Sequence, residues 1–169
     1  MVAELISVGT EILLGNIVNT NAAYLAEKCA LLGLSLYHQS VVGDNEARME
    51  DTIRRALERS DVVILTGGLG PTKDDLTKEV TAKVFKKALC EDAHTKERIM
   101  EFFQKIHNGE KITENNWKQA LIPEGAIIVE NQNGTAPGLI VIGDEGSGYE
   151  GKRAILIPGP PNECIPMFE

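Results

Sequence analysis

Residues 61–80 read DVVILTGGLGPTKDDLTKEV, passing without a break from a buried-strand pattern through a glycine-rich turn into an acidic helix start. Val62, Val63, Ile64 and Leu65 form an apolar run too short for a helix and suited to a strand covered on both faces. Thr66, Gly67, Gly68, Leu69 and Gly70 let backbone approach a ligand with little Cβ interference, and Pro71 fixes the exit. Thr72 followed by Asp75 predicts a capping pair that opens a helix with Leu76, Val80 and Val84 on its apolar face. A turn of this kind aims free N–H groups and the positive end of a helix dipole at an anion. The plainer alternative is a glycine-rich connection with capping carboxylates and no ligand.

The flanking sequence repeats the same alternation. Residues 2–8 read as a first strand, buried apart from Glu4, and end in the polar turn Gly9-Thr10-Glu11. Asn19 or Thr20 caps a helix with Ala22, Leu25, Ala26 and Cys29 on one face, which Gly33 stops. Residues 34–42 read as the second strand. Gly43-Asp44-Asn45 is a turn and cap before a helix carrying Met49, Ile53, Ala56 and Leu57 inward. Strand and helix alternating at this spacing imply right-handed crossovers and a parallel sheet covered on both sides. Beyond residue 88 the pattern loosens. A charged helix over 92–107 turns Ile99, Phe102, Phe103 and Ile106 inward, and a short helix is expected over 113–121. Strands are expected over 126–130, 138–142 and 153–157, the last two joined as a hairpin that makes the sheet mixed. Pro158-Gly159-Pro160-Pro161 ends the final strand, and a helix starts at Asn162. All 169 residues fit one domain, an α/β fold with a mostly parallel mixed sheet.

Charge and cysteine content narrow the function. Seventeen basic against 25 acidic residues give a net charge of −8, which repels nucleic acid and anionic membranes. Cys29, Cys90 and Cys164 are widely spaced and lack a C-x-x-C, so reduced, cytoplasmic thiols are expected. No apolar run approaches a membrane span. Two motifs fail on inspection. Residues 146–153 nearly spell a phosphate loop, but Arg153 replaces the hydroxyl that would hold magnesium, and a strand follows. Gly68-Leu69-Gly70 starts like a dinucleotide fingerprint, yet Lys73 stands where the third glycine belongs. His38, His94 and His107 read as surface or strand residues.

The carboxylates carry what chemistry remains. Asp74 and Asp75 are consecutive, so on a helix their side chains diverge by about 100° and are no matched pair alone. Further oxygen ligands would come from Glu11, Asp44 and Glu163, all just after expected strands, where open α/β sheets collect ligands. Asp44 and Asp74 also stand where helix caps are favoured. Lys73 is placed either to touch a phosphate or to sit in solvent.

T-G-G-L-G-P-T-x-D-D-L-T at 66–77 resembles the signature of the molybdopterin-binding fold, T-G-G-T-G followed by an Arg-Asp pair and a threonine. Leu69 and Asp74 depart from that pattern and match one branch, the competence/damage-inducible CinA family. Further matches are G-T-E-I-L-L-G with N-T-N at 9–21, V-V-G-D-N at 41–45, K-Q-A-L-I-P-E-G-A at 118–126, N-G-T-A-P-G at 133–138 and P-G-P-P-N-E at 158–163. The resemblance implies a three-layer α/β/α sandwich of the MogA and MoaB type. It implies a pocket built from Thr10, Glu11, Thr66, Gly67, Gly68, Gly70, Pro71, Thr72, Lys73, Thr77, Pro158, Gly159, Pro160 and Glu163. It further implies metal-dependent hydrolysis of the pyrophosphate of ADP-ribose to AMP and ribose 5-phosphate. Asp75, Asp74 and Asp44 would be the catalytic set, with Asp74 and Asp75 on a divalent cation (Mg, Mn or Co). Glu11, Asp44 and Glu163 remain unranked as general bases. The alternatives are a regulatory module that binds molybdopterin or a nucleotide without turnover, and a pterin-binding step in molybdenum-cofactor synthesis. The resemblance also implies self-association as a dimer or trimer, and a C-terminal amidohydrolase domain in full-length relatives, which is not among these residues.

Overall fold

The computed structural model describes residues 1–106 and 112–169, with backbone alone at residue 106. In chain order the elements are β1 (Val2–Val8), α1 (Thr10–Leu13), α2 (Thr20–Leu31), β2 (Ser35–Val42), α3 (Glu46–Arg59), β3 (Val62–Thr66), α4 (Thr77–Val84) and β4 (Leu89–Glu91). They continue with α5 (Ala93–Ile106), α6 (Glu114–Trp117), a 3-10 turn (Lys118–Ala120), β5 (Leu121–Pro123), β6 (Ile127–Val129), β7 (Gly138–Ile142), β8 (Arg153–Ile157) and α7 (Pro161–Phe168). The main sheet runs β2-β1-β3-β8-β7-β6. Its first four strands are parallel, while β7 lies antiparallel to both β8 and β6, so the expected hairpin and mixed sheet are present.

The two-residue period of the strands sorts the core into two halves. Leu5, Val62 and Ile64 face Leu25 and Cys29 of α2 and Cys164 of α7. Ile6, Val8, Val63 and Leu65 face Met49, Ile53, Ala56 and Leu57 of α3 and Val80 and Val84 of α4. The result is three layers, helix on sheet on helix. Register then fixes the working edge. Val8 pairs with Val42, Ser7 with Thr66, and Thr66 with Ile157, so the turns after β1, β2, β3 and β8 leave the sheet at one level.

Several expectations are revised. Asn19 caps α2, accepting from the Ala22 amide. Asn45, not Asp44, caps α3, accepting from the Arg48 amide at 3.1 Å. The helix expected over 113–121 is α6 and the 3-10 turn, and Leu121 instead begins β5, which pairs antiparallel with β4 in a second small sheet. Strands of three residues, one containing Pro123, are too short to show alternation. In α5, Ile99 is fully buried and Phe102 and Phe103 are half-buried. The side chain of Ile106, and His107, lie outside the described residues.

Glu4 is also buried, at 1% exposure. Arg59 from the end of α3 grips it with two hydrogen bonds, Nε to Oε2 at 2.9 Å and Nη2 to Oε1 at 2.7 Å. A bidentate guanidinium is what lets a carboxylate sit in a sheet interior. Replacing Arg59 by Met strands that charge and is expected to destabilise the fold by more than the loss of an ordinary surface pair. Urea unfolding at pH 7 measures it, and a loss below about 0.5 kcal/mol, the scale of an ordinary surface pair, would show that the ion pair does not hold this end of the sheet.

Candidate functional site

The turn after β3 has a conformation that its sequence dictates. Gly67 has φ 93° and Gly68 φ 65°, and a Cβ on either would collide, with the Val8 carbonyl oxygen and the Thr77 hydroxyl respectively. Leu69 hooks its side chain into the core between them and the helix, being 8% exposed. Thr77 opens α4 fully buried, donating its hydroxyl to the Gly67 carbonyl at 2.8 Å and its amide to the Gly68 carbonyl at 3.1 Å. The Gly67 amide is spent on the Ile157 carbonyl at 3.0 Å. The amides of Gly68, Leu69 and Gly70 have no protein acceptor among the described residues.

These amides stand at a cleft of about 720 Å³. Pockets of this size accept a small organic ligand, not merely a bare phosphate ion. On its wall the structure brings together Glu11, Asp44, Thr66, Gly67, Gly68, Gly70, Pro71, Thr72, Asp74, Asp75, Pro158, Gly159, Pro160 and Glu163. Three expected contacts stand off the wall. Thr77 is hidden behind the turn, Lys73 points to solvent, and Thr10 is turned to Asp44. Asn21, Gln119 and Phe102 join the wall without having been assigned there from the sequence. Asn21 donates to the Gly159 carbonyl at 2.7 Å and Gln119 to the Leu69 carbonyl at 3.3 Å, and the side-chain oxygen of each is buried without a partner. The N-T-N and K-Q-A runs were visible in the sequence, but their contacts are 138 and 50 residues away.

Only half of the expected Thr72–Asp75 capping box forms, and it closes a turn instead of starting a helix. Asp75 Oδ2 accepts from the Thr72 amide at 2.9 Å and its hydroxyl at 2.5 Å, whereas α4 begins two residues later at Thr77. Asp74 is exposed in that turn and caps nothing. Asp44 Oδ2 accepts from the Thr10 amide at 3.0 Å and its hydroxyl at 2.7 Å. Burial pushes the Glu163 carboxyl up from its ordinary pKa, against the opposing effect of the Asn131 amide that donates to Oε2 at 2.6 Å.

Five carboxylates therefore share the wall, Glu11, Asp44, Asp74, Asp75 and Glu163, with no Lys, Arg or His side chain among the residues that line it. A cation suits that donor chemistry. Among the described residues, however, no three acidic, His or Cys side chains are grouped closely enough to hold a metal ion unaided.

Beneath the turn lies Lys78, 6% exposed, its ammonium donating to the Lys118 carbonyl at 2.6 Å. Burial lowers its pKa to about 8. Because the folded value is below the unfolded one, the native state binds fewer protons between pH 8 and 10.5, so stability from this group rises with pH across that window. The unfolding free energy of the wild type, relative to Lys78→Met, is expected to climb by about 3 kcal/mol between pH 7 and 10.5. Denaturation curves at both pH values give the difference. A flat difference would mean that Lys78 stays solvated.

Comparison with known proteins places this site in context. Residues 4–169 match the family model described as the probable molybdopterin binding domain. A competence-damage inducible protein of Caldanaerobacter subterraneus subsp. tengcongensis is 53% identical over 169 residues, and the chain spans 39% of that relative's length. The solved structure of the protein CinA, of unknown function, from Thermoplasma acidophilum is 38% identical, covers 99% of this chain and 93% of its own, and superposes with a TM-score of 0.83. The molybdopterin biosynthesis enzyme MoaB of Thermus thermophilus shares the fold at 15% identity, with 99% of this chain and 87% of its own covered and a TM-score of 0.63.

Proposed function

The chain belongs to the molybdopterin-binding domain family, in its CinA branch, and we propose on that premise that its cleft binds a nucleotide phosphate and hydrolyses the pyrophosphate of ADP-ribose with a divalent cation. The observation that carries this reading is the pairing of three unspent amides with a wall of carboxylates that lacks any cationic side chain. Amides in this arrangement hold phosphoryl oxygens and stabilise charge that develops on them. A phosphate dianion beside five carboxylates is repelled unless a cation accompanies it. Asp74 and Asp75 would hold that cation, Mg, Mn or Co, jointly with ligand oxygens. When bound, it would neutralise phosphoryl charge and acidify a water molecule.

The remaining roles fall to side chains whose surroundings differ. Asp44 has one oxygen committed to Thr10, which orients it. Glu163, whose pKa burial raises, is suited to take a proton as the general base. Asn21 and Gln119 present unpartnered oxygens that would accept from ligand hydroxyl or amine groups. The position filled by Arg in the pterin-protein signature is Asp74 here, which favours a cation-assisted hydrolase over a pterin carrier.

One observation favours the second reading, a nucleotide- or pterin-binding regulatory module: the carboxylates form no ready-made metal group among the described residues. Product analysis separates the two. Purified protein incubated with ADP-ribose and magnesium, manganese or cobalt is expected to release AMP and ribose 5-phosphate. Asp74→Asn, at an exposed position with no hydrogen bond among the described residues, is expected to lower turnover about 100-fold while leaving the melting temperature unchanged. Tight ADP-ribose binding with no product under any of the three ions would establish the module instead.

A further inference from the structure

The three unspent amides share a structural cause. A trans peptide points its C=O and N–H in opposite directions, so anchoring one aims the other. The Gly68 amide shares a peptide with the Gly67 carbonyl, which the Thr77 hydroxyl holds, and the Leu69 amide shares one with the Gly68 carbonyl, which the Thr77 amide holds. The Gly70 amide shares a peptide with the Leu69 carbonyl. That carbonyl is held by Gln119 Nε2 at 3.3 Å, from a segment outside the main sheet.

The neighbouring residue extends the same grip. Lys118 Nζ reaches under the loop and donates to the Thr72 carbonyl at 2.9 Å and to the Asp75 carbonyl. Its own carbonyl accepts from buried Lys78, and the Glu79 carboxylate lies 3.7 Å from its ammonium. Carbonyls at the start, middle and end of 69–75 are thus all tied to two consecutive residues. Lys118 is also a cation placed behind a cleft whose wall has none.

We propose that Lys118 and Gln119 are positioning residues of the phosphate turn: Gln119 aims the third amide, and Lys118 holds the segment bearing Asp74 and Asp75 while lending positive charge from behind. Both act through backbone carbonyls of the turn. A side chain that merely stabilised the fold would have no reason to select the one carbonyl whose partner amide completes the set.

The test has a ligand-free arm and a ligand arm, the latter resting on the phosphate-binding reading above. In ligand-free protein, Gln119→Leu is expected to shift the Gly70 amide resonance in ¹⁵N spectra while leaving Gly68 in place. Lys118→Met is expected to shift the amides of Lys73 and Leu76, and Lys118→Arg to restore them. With ADP-ribose and magnesium in a titration calorimeter, Gln119→Leu and Lys118→Met should each weaken binding about tenfold, with Lys118→Arg within about threefold of the wild type. Unmoved resonances in Gln119→Leu would overturn the proposal, as would melting temperatures that fall while affinity holds. If the wild type binds no ADP-ribose, the functional reading fails, and the ligand-free spectra still decide the positioning claim.

Discussion

Parallel pairing in register is the constraint from which the site follows. Ser7, Thr66 and Ile157 stand level on β1, β3 and β8, and Val8 stands level with Val42 on β2. The residues after them therefore emerge side by side: Gly9, Gly43, Gly67 and Pro158. Had β3 slipped by one residue, Val63 and Leu65 would face the wrong helices and the glycine turn would miss the Ile157 carbonyl that receives the Gly67 amide. Core packing and site geometry are thus two consequences of one register, and burial on both faces of the sheet is what enforces it.

Within that frame the turn is held by carbonyl anchoring rather than by side chains on the ligand side. Thr77 serves two carbonyls, Gln119 one and Lys118 two. The arrangement turns the donors of these side chains onto backbone carbonyls and leaves the N–H groups of the same peptides free of protein acceptors among the described residues. It also gives fully buried Thr77 a place in the signature, since it orients two peptide units of the turn.

The sequence made the strand-turn-helix plan legible because its signals are local. A β-branched run, two glycines forced to positive φ, and apolar spacing on α2, α3 and α4 are all contained within a few residues. The candidate carboxylates were legible for the same reason, since each follows a strand. What stayed hidden depends on long-range contacts. Gln119 meets Leu69 across 50 positions, Lys118 meets Thr72 across 46, and Glu4 meets Arg59 across 55. The Thr72–Asp75 spacing misled because a half-formed capping box closes a turn as readily as it opens a helix: the Asp75 amide reaches the Thr72 carbonyl at 3.3 Å, and α4 starts only at Thr77.

Charge decides what such a cleft can hold. Five carboxylates on one wall and a net charge of −8 over the chain make the field in front of the amides negative, so a bare phosphate approaches uphill. The amides supply only partial charges, and Lys118 acts from behind the loop. In the proposed function the turn geometry would favour a phosphate while the surrounding field would oppose its charge, and a ligand arriving with its own cation would satisfy both. Under the proposed function, one enclosed cation would compensate one pyrophosphate, whereas the many phosphates of a nucleic acid would meet the whole acidic surface without that compensation.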